Sequence, residues 1–68
     1  MRILRMKALA AKLGISIAEA HRRRKTDPNF PKPIPMGPAI TGYLESEADA
    51  YIASYVAQRD RELIQQQE

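Results

Sequence analysis

All five prolines of this 68-residue chain fall between positions 28 and 38, in the stretch PNFPKPIPMGP. Proline cannot donate a backbone hydrogen bond, and it steers the residue ahead of it away from helical geometry, so no helix runs through that stretch. It is a rigid loop or an edge hairpin. Ile34 and Met36 before Gly37-Pro38, and Ile40 and Tyr43 after it, are placed as two short strands around a turn. Prolines are tolerated in such strands only where one edge is free, so the segment reads as a small wing.

Helical spacing appears on either side. Met6, Leu9, Ala10 and Leu13 follow the i, i+3, i+4, i+7 pattern of one buried face, and Gly14 supplies the stop. Ile15 follows as an apolar plug. Ser16 then carries the short oxygen-bearing side chain that caps free N–H groups, and Glu19 completes an S-x-x-E capping box. A second helix is predicted from Ile17 to just before Pro28. Ahead of both helices, RILR has room only for a strand stub. From Glu45 onward the pattern is helical again, with Leu44, Ala48, Tyr51, Ile52, Tyr55, Val56, Arg59 and Leu63 on one stripe. Tyr51 and Tyr55 are expected to pack in the core. Ser46 with Asp49 offers a capping pair, and the QQQE tail is expected to fray.

Charge divides the chain in two. Residues 1–34 carry nine Lys/Arg against Glu19 and Asp27, a net +7, whereas residues 35–68 carry Arg59 and Arg61 against six acids, a net −4. A basic half joined to an acidic half points to a polyanionic partner for the first. Without cysteine there is neither a disulfide nor a thiolate metal site, which fits a reducing cytoplasm. The opening MRILRMKALAAKLGI loosely imitates a targeting peptide, but Lys7 and Lys12 interrupt an apolar run far too short to cross a bilayer.

Two short helices around a glycine turn, the second serine-capped and running His-Arg-Arg-Arg-Lys from residue 21 to 25, form the pattern of a DNA-reading helix-turn-helix. An α-helix fits the major groove of B-DNA, and Arg or Lys grips phosphate or the O6/N7 edge of guanine. At about 100° per residue, five successive residues go all the way round a helix, so they cannot share one face. Ala18, Arg22 and Lys25 share a stripe; Glu19 can pair with Arg23; Ile17, Ala20 and Arg24 fall on the side toward the first helix, where Arg24 lays its stem over the core. The competing explanation for such a run is a merely solvated face. The order helix, turn, cap, basic helix and proline-rich hairpin favours the DNA reader. His21 has no second histidine or cysteine with which to share a metal. Glu45, Glu47 and Asp49 cluster in a helix's opening residues, where the macrodipole favours acids, so neither a catalytic constellation nor a cofactor site is expected.

RILRMKALAAKLGIS, FPKPIPMGP and GYLESEADAYIA together resemble the AlpA-type phage regulators and excisionases, small winged-helix proteins related to the DNA-binding domain of MerR regulators. The likeness runs over about residues 2 to 58, and its most specific part is FPKP followed by the glycine-containing wing and the Tyr-Leu-Glu-Ser-Glu helix start. The resemblance implies a mainly α, winged helix-turn-helix fold with a small β-hairpin wing. It implies DNA binding at phage or prophage sites, for excisive recombination or transcriptional control, without catalysis. This chain has Ile17, Ala18 and Ala20 where such proteins usually have polar residues, His21 where an aromatic is usual, Pro35 and Ala39 where the wing often carries arginine, and Tyr43 in place of tryptophan.

The expected organisation is a DNA-binding domain over residues 1–58 and a helical extension with a frayed tail over 59–68. The expected DNA-contacting set is Ser16, Ala18, Glu19, His21, Arg22, Arg23 and Lys25 on the second helix, with Lys32 and Thr41 from the wing. Double-stranded DNA is the expected partner, an integrase or another recombinase and neighbouring copies on DNA are further ones, and no membrane is involved. The alternative is a protein-interaction module that docks on a recombinase or repressor through the C-terminal helix.

Overall fold

The computed structural model describes residues 1–67. In chain order it contains β1 (Ile3–Leu4), α1 (Met6–Leu13), α2 (Ile17–Thr26), β2 (Ile34–Gly37), β3 (Ile40–Leu44) and α3 (Glu45–Gln67). It is the winged helix-turn-helix expected from the sequence, mainly helical, with a three-stranded antiparallel sheet ordered β1-β3-β2. Among the described residues, no helix is long and apolar enough to cross a membrane.

The α1–α2 turn is set by three residues. Gly14 takes the left-handed conformation (φ 72°, ψ 28°), which costs a residue without a Cβ nothing, and so lets the chain reverse. Its N–H donates to the Ala11 carbonyl at 3.2 Å, and the Ile15 N–H reaches back to the Ala10 carbonyl at 3.0 Å. Ile15 then packs against the core. The Ser16 Oγ accepts from the Glu19 N–H at 3.0 Å, so this half of the expected capping box forms. The reciprocal half does not. Glu19 turns its carboxylate onto Arg22 and Arg23, because two guanidiniums outcompete one backbone N–H.

The sheet explains how the prolines are accommodated. Central strand β3 pairs Tyr43 with Leu4 of β1, and Thr41 and Gly42 with Pro35 and Ile34 of β2. Pro35 therefore lies on an edge strand, where its missing N–H leaves no ladder bond broken. Gly42 is required by close approach: a Cβ there would lie 2.5 Å from Ile3 Cγ2 and 2.6 Å from Met36 Sδ.

At the wing tip, Ala39 holds φ 60°, a left-handed conformation that costs a non-glycine residue about 1 kcal/mol. Ala39→Gly is therefore expected to raise the thermal midpoint by a few degrees, since about 1 kcal/mol moves a domain of this size by roughly 4–8 °C. Unfolded-state entropy offsets part of the gain. A lower midpoint by differential scanning calorimetry would contradict this strain.

The core lies between the sheet and the three helices. Leu9, Phe30 and Tyr43 are its largest fully buried side chains, and Ala20 of α2 and Ala48 of α3 are completely covered. Phe30 meets the Tyr51 ring edge-on at 5.3 Å between centroids. The proline-rich loop is thereby anchored to α3.

Two expectations for α3 are corrected. The helix starts at Glu45, immediately after β3, so Ser46 lies inside its first turn and is not its cap. Instead the Glu45 N–H donates to the Arg2 carbonyl at 2.9 Å, and Asp49 pairs with Lys12 at 2.9 Å. Burial along the apolar stripe also ends early. Tyr51 is buried and Ile52 partly so, but every residue from 53 to 64 is exposed, including Tyr55 at 50 %. At 1.5 Å per residue, α3 is about 34 Å long, more than this small body can cover. The molecule consequently measures 53 × 25 × 19 Å. α3 passes residue 58 without a break and continues to Gln67, and the last residue of the tail expected to fray, Glu68, lies outside the described residues.

Candidate nucleic-acid interface

Ala20, fully buried against the core, fixes the rotation of α2. With Ala20 facing inward, positions two residues away in sequence, and five residues beyond, swing to the opposite side of the helix. These are Ala18, Arg22 and Lys25, all exposed. The Arg22 side chain is 63 % accessible, although it donates to Glu19 at 2.9 and 2.5 Å. This is the stripe expected from the sequence.

The other basic residues point elsewhere, each to its own neighbour. Arg23 turns toward α3: its Nε donates to Glu19 at 2.7 Å and its Nη1 to the Tyr51 hydroxyl at 3.2 Å. Tyr51 in turn donates to Asp27 Oδ2 at 2.7 Å and lies 3.1 Å from the Tyr55 hydroxyl. One proton donated and two accepted satisfy this oxygen, and the network joins the end of α2 to α3. Arg23 thus acts within the fold as a positioning residue. Arg24 turns toward the sheet, with Nη1 3.4 Å from the Tyr43 hydroxyl. Ile17, expected to face α1, is 46 % exposed, because it sits about 60° round from Ala20 in the first turn, beyond the reach of α1.

Among the remaining candidates, Ser16 is occupied as the cap of α2, and Glu19 as the partner of two arginines. His21 and Thr41 come together, lining an open cleft of about 350 Å³ between the start of α1, α2 and the wing. Lys32 lies apart from them. Its Nζ donates to the Pro28 carbonyl at 2.8 Å, and it borders a different groove, between the proline loop and α3. The cleft lined by His21 and Thr41 also gathers Arg5, Lys7 and Arg24, none of which belongs to the set expected from the sequence. Sequence spacing offers no signal for them, since Arg5 and Lys7 meet Arg24 only once α1 packs on α2, and Thr41 only once β3 is in place. The one hint was the excess of charge in the first half.

The Arg22 and Arg23 guanidiniums hold the Glu19 carboxyl down to about 2, from an ordinary 4.5. Asp27 is also held below its ordinary value, first by the Tyr51 hydroxyl and then by the Asn29 N–H. A carboxyl whose folded value is lowered contributes stability in full above its unfolded value and loses it as pH falls through the folded one. The Glu19 contribution is therefore expected to fade between about pH 4.5 and pH 2, and Glu19→Gln to flatten that part of the midpoint-against-pH curve. Thermal melts of both proteins across this range check it. Identical acid slopes would contradict the pairing.

The chain matches, over residues 2–56, the model of the family described as Prophage CP4-57 regulatory protein (AlpA). No curated protein and no solved structure matches it.

Proposed function

Because this chain belongs to the AlpA family of prophage regulatory proteins, we propose that it binds double-stranded DNA with α2 in the major groove and the wing beside it. It then acts, without catalysing a reaction, as an excisionase or a transcriptional regulator of a phage or other mobile element in the bacterial cytoplasm. The observation that carries this reading is the orientation of α2. Ala20 is buried, and Ala18, Arg22 and Lys25 face outward from the basic half of the chain.

The chemistry of that stripe favours phosphate over bases. Arg22 and Lys25 supply charge, and Ala18 offers only a methyl, which suits the methyl group of thymine. A phosphate has to compete with Glu19 for Arg22. Affinity is therefore dominated by the backbone and falls steeply with salt. Four to six phosphate contacts give a slope of log K against log salt of roughly −4 to −5. Fluorescence anisotropy on a labelled duplex from 50 to 300 mM salt tests it, and binding with no salt dependence would count against the reading.

The exposed half of α3 supports a second role. Val56, Leu63 and Ile64 are exposed apolar residues on a helix that leaves the body of the protein. They suit contact with a recombinase such as an integrase, with a repressor, or with a neighbouring copy on DNA, where high local concentration turns weak contacts into cooperative occupancy. Deleting residues 59–68 is expected to preserve binding to a one-site duplex and to reduce cooperativity on a multi-site one. Gel shifts on the two duplexes check it, and full cooperativity after deletion would contradict it.

A further inference from the structure

Among the described residues, most strong cations outside one region have an acidic partner. Arg2 pairs with Glu45, Lys12 with Glu45 and Asp49, Arg22 and Arg23 with Glu19, and Arg59 with Asp60. Lys25, Lys32 and Arg61 form no ion pair among these residues, but Lys32 and Arg61 border grooves that also hold Glu47 and Asp27. Three cations gather without an acid in the cleft of about 350 Å³ between the start of α1, α2 and the wing. Arg5, Lys7 and Arg24 converge there with the ring of His21, and no carboxylate lines the cleft or forms an ion pair with any of them. Like charges brought together without compensation repel, and a bound anion relieves that repulsion.

We propose that this cleft seats a single phosphate group of the DNA backbone, held by Arg5, Lys7 and Arg24 with the hydroxyls of Thr41 and Tyr43. The hydroxyls make the site more than a patch of charge. Tyr43 is 1 % exposed, paired in the sheet with Leu4, and its hydroxyl already orients Arg24 from 3.4 Å. Thr41, on the same face of β3, adds a second hydroxyl that can donate to a phosphate oxygen. The walls come from α1, α2 and β3, so one phosphate bridges all three and fixes the angle between α2 and the wing on the duplex. This assignment rests on the DNA-binding reading above. It adds contacts outside the groove-facing stripe and identifies Arg5, Lys7 and Arg24 as phosphate ligands.

Lys7→Gln and Arg24→Gln test the assignment, with Arg24→Lys as the charge-preserving variant. Lys7 makes no described hydrogen bond, so its substitution leaves the fold untouched even if loss of the Tyr43 contact weakens the Arg24 variant. Each glutamine variant is expected to shift the slope of log K against log salt by about 0.9 toward zero on a labelled duplex, with about an eightfold loss of affinity at 0.1 M salt relative to 1 M. Arg24→Lys should retain the wild-type slope. Titrating inorganic phosphate into ¹⁵N-labelled protein separates the two sources of the group. Shifts at His21 and Thr41 that Lys7→Gln abolishes, together with the loss of slope, support a cleft that takes backbone phosphate. Phosphate-induced shifts with an unchanged duplex slope in both glutamine variants would show a site for free anions only and overturn the proposal. Wild-type protein that ignored duplex DNA would overturn this proposal and the DNA-binding reading together, whereas a normal wild-type slope with unaltered variants overturns the cleft alone.

Discussion

Replacing Phe30 with alanine is expected to leave most of the protein unfolded at 25 °C. The side chain is 2 % exposed, and its ring packs on Tyr51 at 5.3 Å. Phenylalanine-to-alanine changes in a core cost about 3–5 kcal/mol, and a single core in a chain this short supplies no more than about 3–5 kcal/mol in all. The loss propagates because of where the ring sits. The Phe30 N–H donates to the Asp27 carbonyl at 3.2 Å and the Asn29 N–H to Asp27 Oδ1 at 2.9 Å, so the turn that ends α2 is built against this one side chain. Without it, the loop has no anchor on α3 and the polar network around Tyr51 opens to water. Far-UV circular dichroism with thermal melts measures the effect. A cooperative transition within a few degrees of wild type would contradict this account of the core.

The double substitution Arg22→Ala and Lys25→Ala is expected to leave the fold intact and to remove most of the DNA affinity. Both residues are exposed on the stripe opposite Ala20, and the Arg22 ion pair with Glu19 lies at the surface, where such pairs contribute little. Each lost phosphate contact takes about 0.9 from the salt slope, so two should reduce affinity by about sixtyfold at 0.1 M salt relative to 1 M. The loss should be equal on a specific site and on a scrambled one, because phosphate contacts position the protein and carry no sequence information. Loss confined to the specific complex would show that these side chains read bases. Arg23→Ala should behave differently. That side chain ties α2 to Tyr51 of α3, so its removal lowers the melting midpoint as well as the affinity.

Much of this arrangement is legible in the sequence wherever a residue has only one physically sensible use. Gly14 after a helical run means a left-handed stop, Ser16 ahead of Glu19 means a cap, and proline in a strand means an edge. Small Ala20 amid charged neighbours fixes which way α2 faces, and the outward stripe follows by helical arithmetic. What the sequence does not reveal depends on long-range partners. Glu19 looks like a capping-box carboxylate until two arginines prove to be closer. Tyr55 has the spacing of a core residue, but burial depends on how far the body extends beneath the helix, and spacing along one helix says nothing about that. Ser46 looks like a cap, but the strand runs directly into the helix and moves its start upstream. The cluster of Arg5, Lys7 and Arg24 is hidden for the same reason: its members are up to about twenty residues apart, and they meet only when α1 packs against α2.

The central claim is that the outward face of α2, with the wing and the neighbouring cleft, meets the DNA duplex. Amide shift perturbation of ¹⁵N-labelled protein titrated with a short duplex tests it most directly. The account predicts perturbations concentrated at Ala18, His21, Arg22 and Lys25, at residues 37 and 39–41 of the wing and at Arg5 and Lys7, with residues 53–64 of α3 unmoved. Perturbations confined to residues 53–64 of α3, or none at all at low salt, would contradict it.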